Sequence, residues 1–264
     1  MQFTKMEGLG NDYIYINCLE AFPEELSALA VRLSDRHFGV GGDGLICIGP
    51  GREGDFSMHM FNADGSRGMM CGNGIRCVGK YVYDKKLTRK RCLTIDTDAG
   101  PRELRLEVRR EQVVRVSVNM GRPEVSPPRE VRLEGSFFPV QLVSVGNPHA
   151  VVFCGDPDAI DLEREGPLLE NCPSFPGRVN VEFATLLRPD LLDVRVWERG
   201  SGVTLACGTG ACACFAAARS RGLCRDRAAV RLPGGELELC WEDGAVWMAG
   251  PARTVFEGEL SEEA

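Results

Sequence analysis

The sequence predicts an α+β protein made of two pseudo-symmetric mixed-sheet half-barrels, each wrapped around a central buried helix. Three observations carry this. The segments Cys71-Gly72-Asn73-Gly74 and Cys207-Gly208-Thr209-Gly210 stand 136 positions apart, and the same offset lays Gly10-Asn11 on Gly146-Asn147 and Phe61 on Trp197 without a gap. Matches in one register mark an internal duplication. Each segment opens a helical stretch, 75–86 and 211–222, and residues 211–218 (Ala-Cys-Ala-Cys-Phe-Ala-Ala-Ala) are apolar nearly all round. Such a helix is buried on most sides. Finally, alternation of apolar and polar residues dominates the remainder, the period of half-buried strands.

Taken in order, residues 23–36 read as an amphipathic helix with Leu26, Leu29, Ala30 and Leu33 on one face and Gly39 just past its end. The cluster Gly39-Val40-Gly41-Gly42-Asp43-Gly44 fits a dinucleotide-binding pattern by letter. It follows a helix and precedes the apolar run Leu45-Ile46-Cys47-Ile48, the reverse of the strand-then-helix context that nucleotide binding needs. A turn reaching into a site is the better reading. After the first Cys-Gly helix, Leu104, Leu106 and Val108 alternate with charged residues, and Val114, Val116 and Val118 follow a hairpin, ending at Met120-Gly121-Arg122-Pro123. In the second half, 158–171 reads as a weaker helix broken at Gly166-Pro167. Val230-Arg231-Leu232, Leu237-Glu238-Leu239 and Ala245-Val246-Trp247-Met248 then end at Ala249-Gly250-Pro251. The division expected is 1–117, carrying Cys71 and completed by a C-terminal strand in 251–264, and 118–250, carrying Cys207.

At 264 residues and 44% hydrophobic, the chain can bury one or two ordinary cores. The net charge of −7 and a longest cationic run of only Arg89-Lys90-Arg91 argue against a nucleic-acid partner. No apolar run approaches the ~18 residues that span a bilayer. The N-terminal residues lack the apolar core and cleavage site of a signal peptide, so a cytoplasmic protein is expected, with its twelve cysteines as reduced thiols. No Cys-x-x-Cys pair occurs and His37, His59 and His149 are scattered, so no metal site is expected.

A cysteine at a helix start is chemically distinct. The first turn has unpaired N–H groups and partial positive charge, which lower a thiol pKa and attract anions. Gly72, Gly74, Gly208 and Gly210 let a ligand approach the backbone. Two such starts could hold a carboxylate and work a thiolate and a thiol on opposite sides of one atom. Cys18, Cys47, Cys92, Cys154, Cys172, Cys214, Cys224 and Cys240 lack the glycine frame and read as small apolar filler.

The segments Gly10-Asn11-Asp12, Phe61-Asn62-Ala63-Asp64-Gly65-Ser66, Cys71-Gly72-Asn73-Gly74-Ile75-Arg76-Cys77, Gly146-Asn147-Pro148-His149, Val179-Asn180-Val181 and Glu198-Arg199-Gly200, with the Cys207 motif, resemble the diaminopimelate epimerase family. The resemblance runs from the first dozen residues to Gly250-Pro251. It implies a pyridoxal-independent interconversion of L,L- and meso-2,6-diaminopimelate, on the route to lysine and peptidoglycan, with the substrate in a cleft between two half-barrels. It further implies Cys71 as proton donor and Cys207 as proton acceptor. Gly72, Asn73, Gly208 and Thr209 would hold the reacting carboxylate; Asn11, Asn62, Asn147, Asn180, Glu198 and Arg199 would line the pocket; His149 and Glu198 would tune the thiols. These residue types suit a zwitterion, since arginine grips carboxylate, glutamate pairs ammonium and asparagine does both jobs weakly.

The sequence departs from the family at Gly44, where some members carry an amide, at Arg67-Gly68-Met69, where an acidic residue is frequent, and at Phe256, where a tyrosine often supports a homodimer. No cofactor is expected: the five lysines, Lys5, Lys80, Lys85, Lys86 and Lys90, include no obvious Schiff-base candidate. Competing readings are a related racemase for histidine, proline or hydroxyproline, a thiol redox sensor, and a noncatalytic amino-acid-binding protein. A redox sensor has no use for Asn11, Asn62, Asn147 and Asn180, and a binding protein none for two thiols.

Overall fold

A computed structural model describes residues 1–133 and 136–260. The chain divides into two compact units, Met1–Val118 with the stretch from Gly250 onward, and Asn119–Ala249. Each is a mixed sheet with two helices. The first contains β1 (Gln2–Gly8), β2 (Asn11–Asn17), α1 (Leu26–Ser34), β3 (Gly44–Pro50), β4 (Phe56–Asn62), the short β5 (Arg67–Gly68), α2 (Gly72–Asp84), β6 (Cys92–Asp96), β7 (Arg102–Arg109) and β8 (Gln112–Asn119). The second contains the short β9 (Glu124–Val125), β10 (Arg129–Leu133), β11 (Ser136–Ser144), β12 (Pro148–Phe153), α3 (Leu162–Glu170), β13 (Asn180–Arg188), β14 (Leu191–Glu198), the short β15 (Gly202–Val203), α4 (Gly208–Ser220), β16 (Arg227–Leu232), β17 (Gly235–Glu242) and β18 (Ala245–Gly250). The final strand, β19 (Arg253–Glu259), returns to the first unit and pairs antiparallel with β1.

The two sheets follow one plan. The first runs β19-β1-β2-β3-β4-β6-β7-β8, with β2–β3 and β4–β6 parallel and the other neighbours antiparallel. The second runs β10-β11-β12-β13-β14-β16-β17-β18, with β12–β13 and β14–β16 parallel. The duplication is kept in register: Tyr13 pairs with Gly44 and His149 with Asn180, and α1/α3 and α2/α4 are both displaced by the same 136 positions.

The central strand of each unit is covered on both faces, which is why β3 is apolar without alternation. On one face of β3, Leu45 and Cys47 pack against Leu29, Ala30 and Leu33 of α1. On the other, Ile46 meets α2 so closely that a Cβ on Gly74 would lie 2.7 Å from Ile46 Cδ1. In the second unit Val181 and Phe183 of β13 pack with Leu169 of α3, while Glu182 faces α4, with 2.7 Å between its Oε1 and a Cβ built on Gly210. Outer strands alternate as expected: in β7, Leu104 and Leu106 are buried between exposed Glu103, Arg105 and Glu107.

All four α-helices differ from the sequence reading in bounds or continuity. The helix expected over 23–36 spans only Leu26–Ser34: Glu25 takes a left-handed φ of 50°, and Asp35 leaves the helix to accept the His37 and Phe38 N–H groups. Both Cys-Gly helices begin three residues earlier than expected, because the cysteine itself caps them. The break expected at Gly166-Pro167 is absent. A 3₁₀ turn at Pro157–Ala159 precedes a continuous α3, capped by Asp161 accepting the Arg164 N–H. Pro167 removes one bond, to the carbonyl of exposed Glu163, which water can satisfy. Gly166 is there for contact, since a Cβ on it would come within 2.5 Å of the Trp197 indole. Gly166→Ala should therefore cost about 1–3 kcal/mol in denaturant unfolding through overpacking. Gly155→Ala, exposed with nothing within 4 Å of a built Cβ, should stay within about 0.5 kcal/mol of the parent. Equal effects would refute the packing role.

Candidate functional site

In the first unit Cys71 is the extended residue capping α2, and its sulfur accepts the Gly74 N–H at 3.3 Å. The thiol donates to Asn11 Oδ1 at 3.2 Å. Asn11 Nδ2 donates in turn to Asp43 Oδ2 at 2.7 Å, and that oxygen also accepts the Asp12 N–H at 3.1 Å. The glycine cluster thus delivers a carboxylate that orients Asn11. It is held by Arg36, bridged to both Asp43 and Asp12, while buried Lys5 lies 2.6 Å from Asp12 and donates to the Gly41 carbonyl. Burial alone would raise the Asp12 carboxyl; Arg36 and Lys5 outweigh it and hold it below the usual range. Gly44 has no room for a side chain, because a Cβ there would lie 2.1 Å from the Phe61 carbonyl.

Beneath this helix start, fully buried Arg76 donates from Nη1 to the Gly72 carbonyl and from Nε to the Pro251 carbonyl. Tyr15 donates its hydroxyl to the Gly74 carbonyl at 3.2 Å. Burial pushes the neighbouring Cys77 thiol up to about 12, with the Tyr15 hydroxyl opposing. Asn73 is buried within the first turn, and Asn62 ends β4, its Nδ2 donating to Ser66 Oγ at 2.9 Å.

In the second unit Cys207 caps α4 in the same way, accepting the Gly210 N–H at 3.3 Å. Its other neighbour differs. Thr209 Oγ1 lies 3.4 Å from the sulfur and accepts from Asn147 Nδ2 at 3.2 Å. Asn147 Oδ1 lies 3.0 Å from His149 Nε2, and His149 Nδ1 lies 2.6 Å from Glu182 Oε1, both side chains being completely buried. His149 thus reaches the thiol through two intervening residues. Glu198 accepts the Thr204 hydroxyl at 2.6 Å. Burial raises the Cys207 thiol well above its ordinary value, Glu198 and Glu182 add to this, and the hydrogen bonds from Thr209 and Gly210 oppose it.

Asn180 and Arg199 form one local unit. Asn180 Oδ1 accepts the Arg199 N–H at 2.9 Å and Nδ2 donates to the Pro148 carbonyl at 3.0 Å, so the amide holds the turn that carries Glu198-Arg199. Arg199 is exposed, with Nη1 on the Gly177 carbonyl. The same turn rests on Glu170, a buried carboxylate at the end of α3. It accepts from Gly200 N–H at 3.0 Å, from Trp197 Nε1 at 2.7 Å and from Arg178.

The sequence reading gives no role to Asp43, Glu170 or Glu182. Two of them had a signal: Asp43 is the one charge in a glycine cluster, and Glu182 interrupts the apolar run Val181–Phe183 where the repeat places Ile46. Glu170, ending a leucine-rich helix, is distinguishable from a solvated helix end only by its contacts. Among the described residues no group of three or more His, Cys, Asp or Glu side chains could hold a metal ion, and no helix is long and apolar enough to cross a membrane.

Comparison with known proteins adds a family. A model described as diaminopimelate epimerase matches residues 3–126 and 141–255. A diaminopimelate epimerase of Acetivibrio thermocellus is 47% identical over 275 residues, spanning 98% of each chain. One of Parabacteroides distasonis is 48% identical over 262 residues, spanning 98% of this chain and 97% of that protein. Among solved structures, a probable proline racemase from Agrobacterium radiobacter superposes with a TM-score of 0.76 at 16% identity, covering 99% of this chain and 93% of that one. A hydroxyproline epimerase from Agrobacterium vitis gives 0.74 at 16% identity, covering 98% and 90%. These two show a shared fold.

The raised Cys207 thiol has a direct consequence. A thiol whose pKa is elevated stays protonated, and so weakly nucleophilic, through neutral pH. In the ligand-free protein, iodoacetamide labelling of Cys207 followed by mass spectrometry should still be accelerating above pH ~8.5, the ordinary cysteine value. A labelling rate that levels off below pH 8 would contradict the placement of the two carboxylates against this thiol.

Proposed function

The chain belongs to the diaminopimelate epimerase family and is an isomerase, and we propose that it interconverts L,L- and meso-2,6-diaminopimelate by passing the α-proton between Cys71 and Cys207. The observation that carries this is the repeated cysteine cap: one thiol at the start of each buried helix, in the same glycine frame, with N–H groups of the first turn around it. Inverting a stereocentre by direct transfer takes a proton from one face and delivers one to the other, and two thiols in such seats match that chemistry.

In this reading Cys207 takes the proton from the L,L isomer while Cys71 delivers one to the opposite face, and the roles exchange in the reverse direction. Main-chain N–H groups at Gly72-Asn73 and Gly208-Thr209 hold the α-carboxylate and stabilise charge that develops on it during carbanion formation. Glu198 receives the α-ammonium. Burial is the main cause of the raised Cys207 thiol, and the ammonium offsets the smaller part that the Glu198 charge adds, so substrate arrival favours the thiolate. Asn11 and Asn147 orient the thiols, and Arg199, with Asn62 and Asn180, recognises the distal amino-carboxylate. His149 and Glu198 tune the sulfur. The enzyme would act without a cofactor, in the cytoplasm, on the route to lysine and peptidoglycan. A homodimer using the surface around exposed Phe256 is part of the proposal, and sedimentation velocity reads it directly.

Cys71→Ala and Cys207→Ala should each lower epimerisation by about 10²- to 10⁴-fold, with unchanged circular dichroism, and the double variant should be little worse than either, as for groups acting as a unit. Wild-type turnover in either single variant ends the two-thiol reading. Arg199→Met should erase the preference for diaminopimelate over lysine, because the second head group loses its charged partner. Equal racemisation of proline or histidine by the wild type would keep the mechanism and remove the substrate.

A further inference from the structure

Glu182 is unexplained by packing. It lies at 0% exposure on β13, directly under the first turn of α4, against Gly210. Its counterpart by the repeat, Ile46, fills the same seat against Gly74 in the first unit. An isoleucine therefore satisfies this position sterically, and a buried carboxylate there carries a desolvation cost that only compensating bonds offset. Among the described residues Glu182 Oε2 has no hydrogen-bond partner, and Oε1 is bonded to His149 at 2.6 Å. The cost is met for the sake of that contact.

Donor and acceptor accounting shows what the contact controls. Asn147 turns its Nδ2 to Thr209, so its Oδ1 faces His149 Nε2, which must then carry a hydrogen. His149 Nδ1 faces a second acceptor, the Glu182 carboxylate, so a further proton lies between that nitrogen and Oε1. Thr209 Oγ1 already accepts from Asn147, which leaves its own hydrogen for the Cys207 sulfur. Without the carboxylate a neutral ring carries one proton and can present a bare Nε2. The Asn147 amide then turns over, every bond in the chain reverses, and the Thr209 hydrogen points away from sulfur. The first unit is built differently: Tyr13 and Ile46 stand at the positions of His149 and Glu182, and Cys71 donates straight to Asn11, which donates to Asp43.

We propose that Glu182 is a positioning residue for the epimerisation, which anchors His149 and, through Asn147 and Thr209, fixes the direction of the hydrogen bond at the Cys207 sulfur. The inference rests on the two-thiol reading above. It concerns one thiol of the two, and it gives chemically identical side chains different resting roles. The groups that face Cys207 are Glu198 from β14, Glu182 from β13, His149 through Asn147 and Thr209 from β12, and Cys214 on its own helix.

The test compares wild type, Glu182→Gln and Glu182→Asp as full-length chains. Glu182→Gln should lose about 10-fold or more in kcat with KM little changed, by analogy with partners that orient metal-bound histidines. Its Cys207 iodoacetamide profile should move to higher pH, since the Thr209 hydrogen turns away from the sulfur and the lost carboxylate charge is matched by the lost ring proton, while the Cys71 profile stays in place. Glu182→Asp should recover part of the kcat. A Glu182→Gln enzyme with wild-type kcat and Cys207 profile overturns the proposal, as does a kcat loss that tracks the thermal midpoint with the profile unmoved. Nitrogen-15 NMR of histidine-labelled wild type supplies a reading that needs no variant: hydrogens on both His149 ring nitrogens are expected, and a bare Nε2 overturns it. A wild type that does not epimerise diaminopimelate would count against the function, while the Cys207 profile and the NMR would still decide the role of Glu182.

Discussion

The bond from the N–H of a glycine to the sulfur of the cysteine three residues before it is the constraint on which the rest of the structure depends. It occurs twice, at Gly74 to Cys71 and at Gly210 to Cys207, each at 3.3 Å. Cysteine is an unusual cap, since oxygen-bearing side chains are preferred there. Its use places a thiol among the unpaired N–H groups of the first turn, where an anion is welcome. The glycine in the bond is also constrained, because a side chain of the central strand, Ile46 or Glu182, reaches within 2.7 Å of where its Cβ would stand. Helix start and strand are thus locked together, and both must be buried for the lock to hold. That accounts for a strand apolar on both faces and for a helix as uniformly apolar as α4.

On this common frame the two units differ in what touches sulfur. Backbone register is retained to the residue, with Tyr13 opposite Gly44 where His149 stands opposite Asn180. The polar surroundings are not retained. Cys71 has Asn11 and, behind it, Asp43 fixed by Arg36, with the buried guanidinium of Arg76 below the helix start. Cys207 has Thr209, Asn147, His149 and Glu182 in series, and Glu198 beside it. An isomerase running both ways needs one group ready to take a proton and one ready to give it. Identical thiols in identical seats would have no reason to differ, and the unequal second neighbours supply one.

Much of this was legible in the chain because the repeat is ungapped and the glycine frame is short. The offset of 136 ties the Cys-Gly helices and, with them, α1 to α3, although only the cysteine segments and a few flanking residues match by letter. What was not legible depends on contacts across the sequence. Gly166-Pro167 looks like a helix break, yet the glycine serves the Trp197 ring and the proline costs one solvated bond. The glycine cluster at 39–44 is a turn, but that its single carboxylate grips Asn11 follows only from the pairing of β2 with β3. Glu170 and Glu182 read as ordinary acidic residues until their partners are known. Buried carboxylates are the class of residue that a local pattern represents worst, since their cost and their compensation lie on different strands.

The central claim is that two different thiols serve the two faces of one carbon. Solvent-isotope transfer at early times tests it most directly. With L,L-diaminopimelate in deuterium oxide, the first meso product should carry one solvent deuterium at the inverted centre, while recovered L,L substrate stays unlabelled, because the proton taken by one thiol is not the one returned by the other. The same asymmetry should hold starting from the meso isomer. Deuterium appearing in recovered substrate as fast as in product would mean that one exchanging base serves both faces, and would contradict the account.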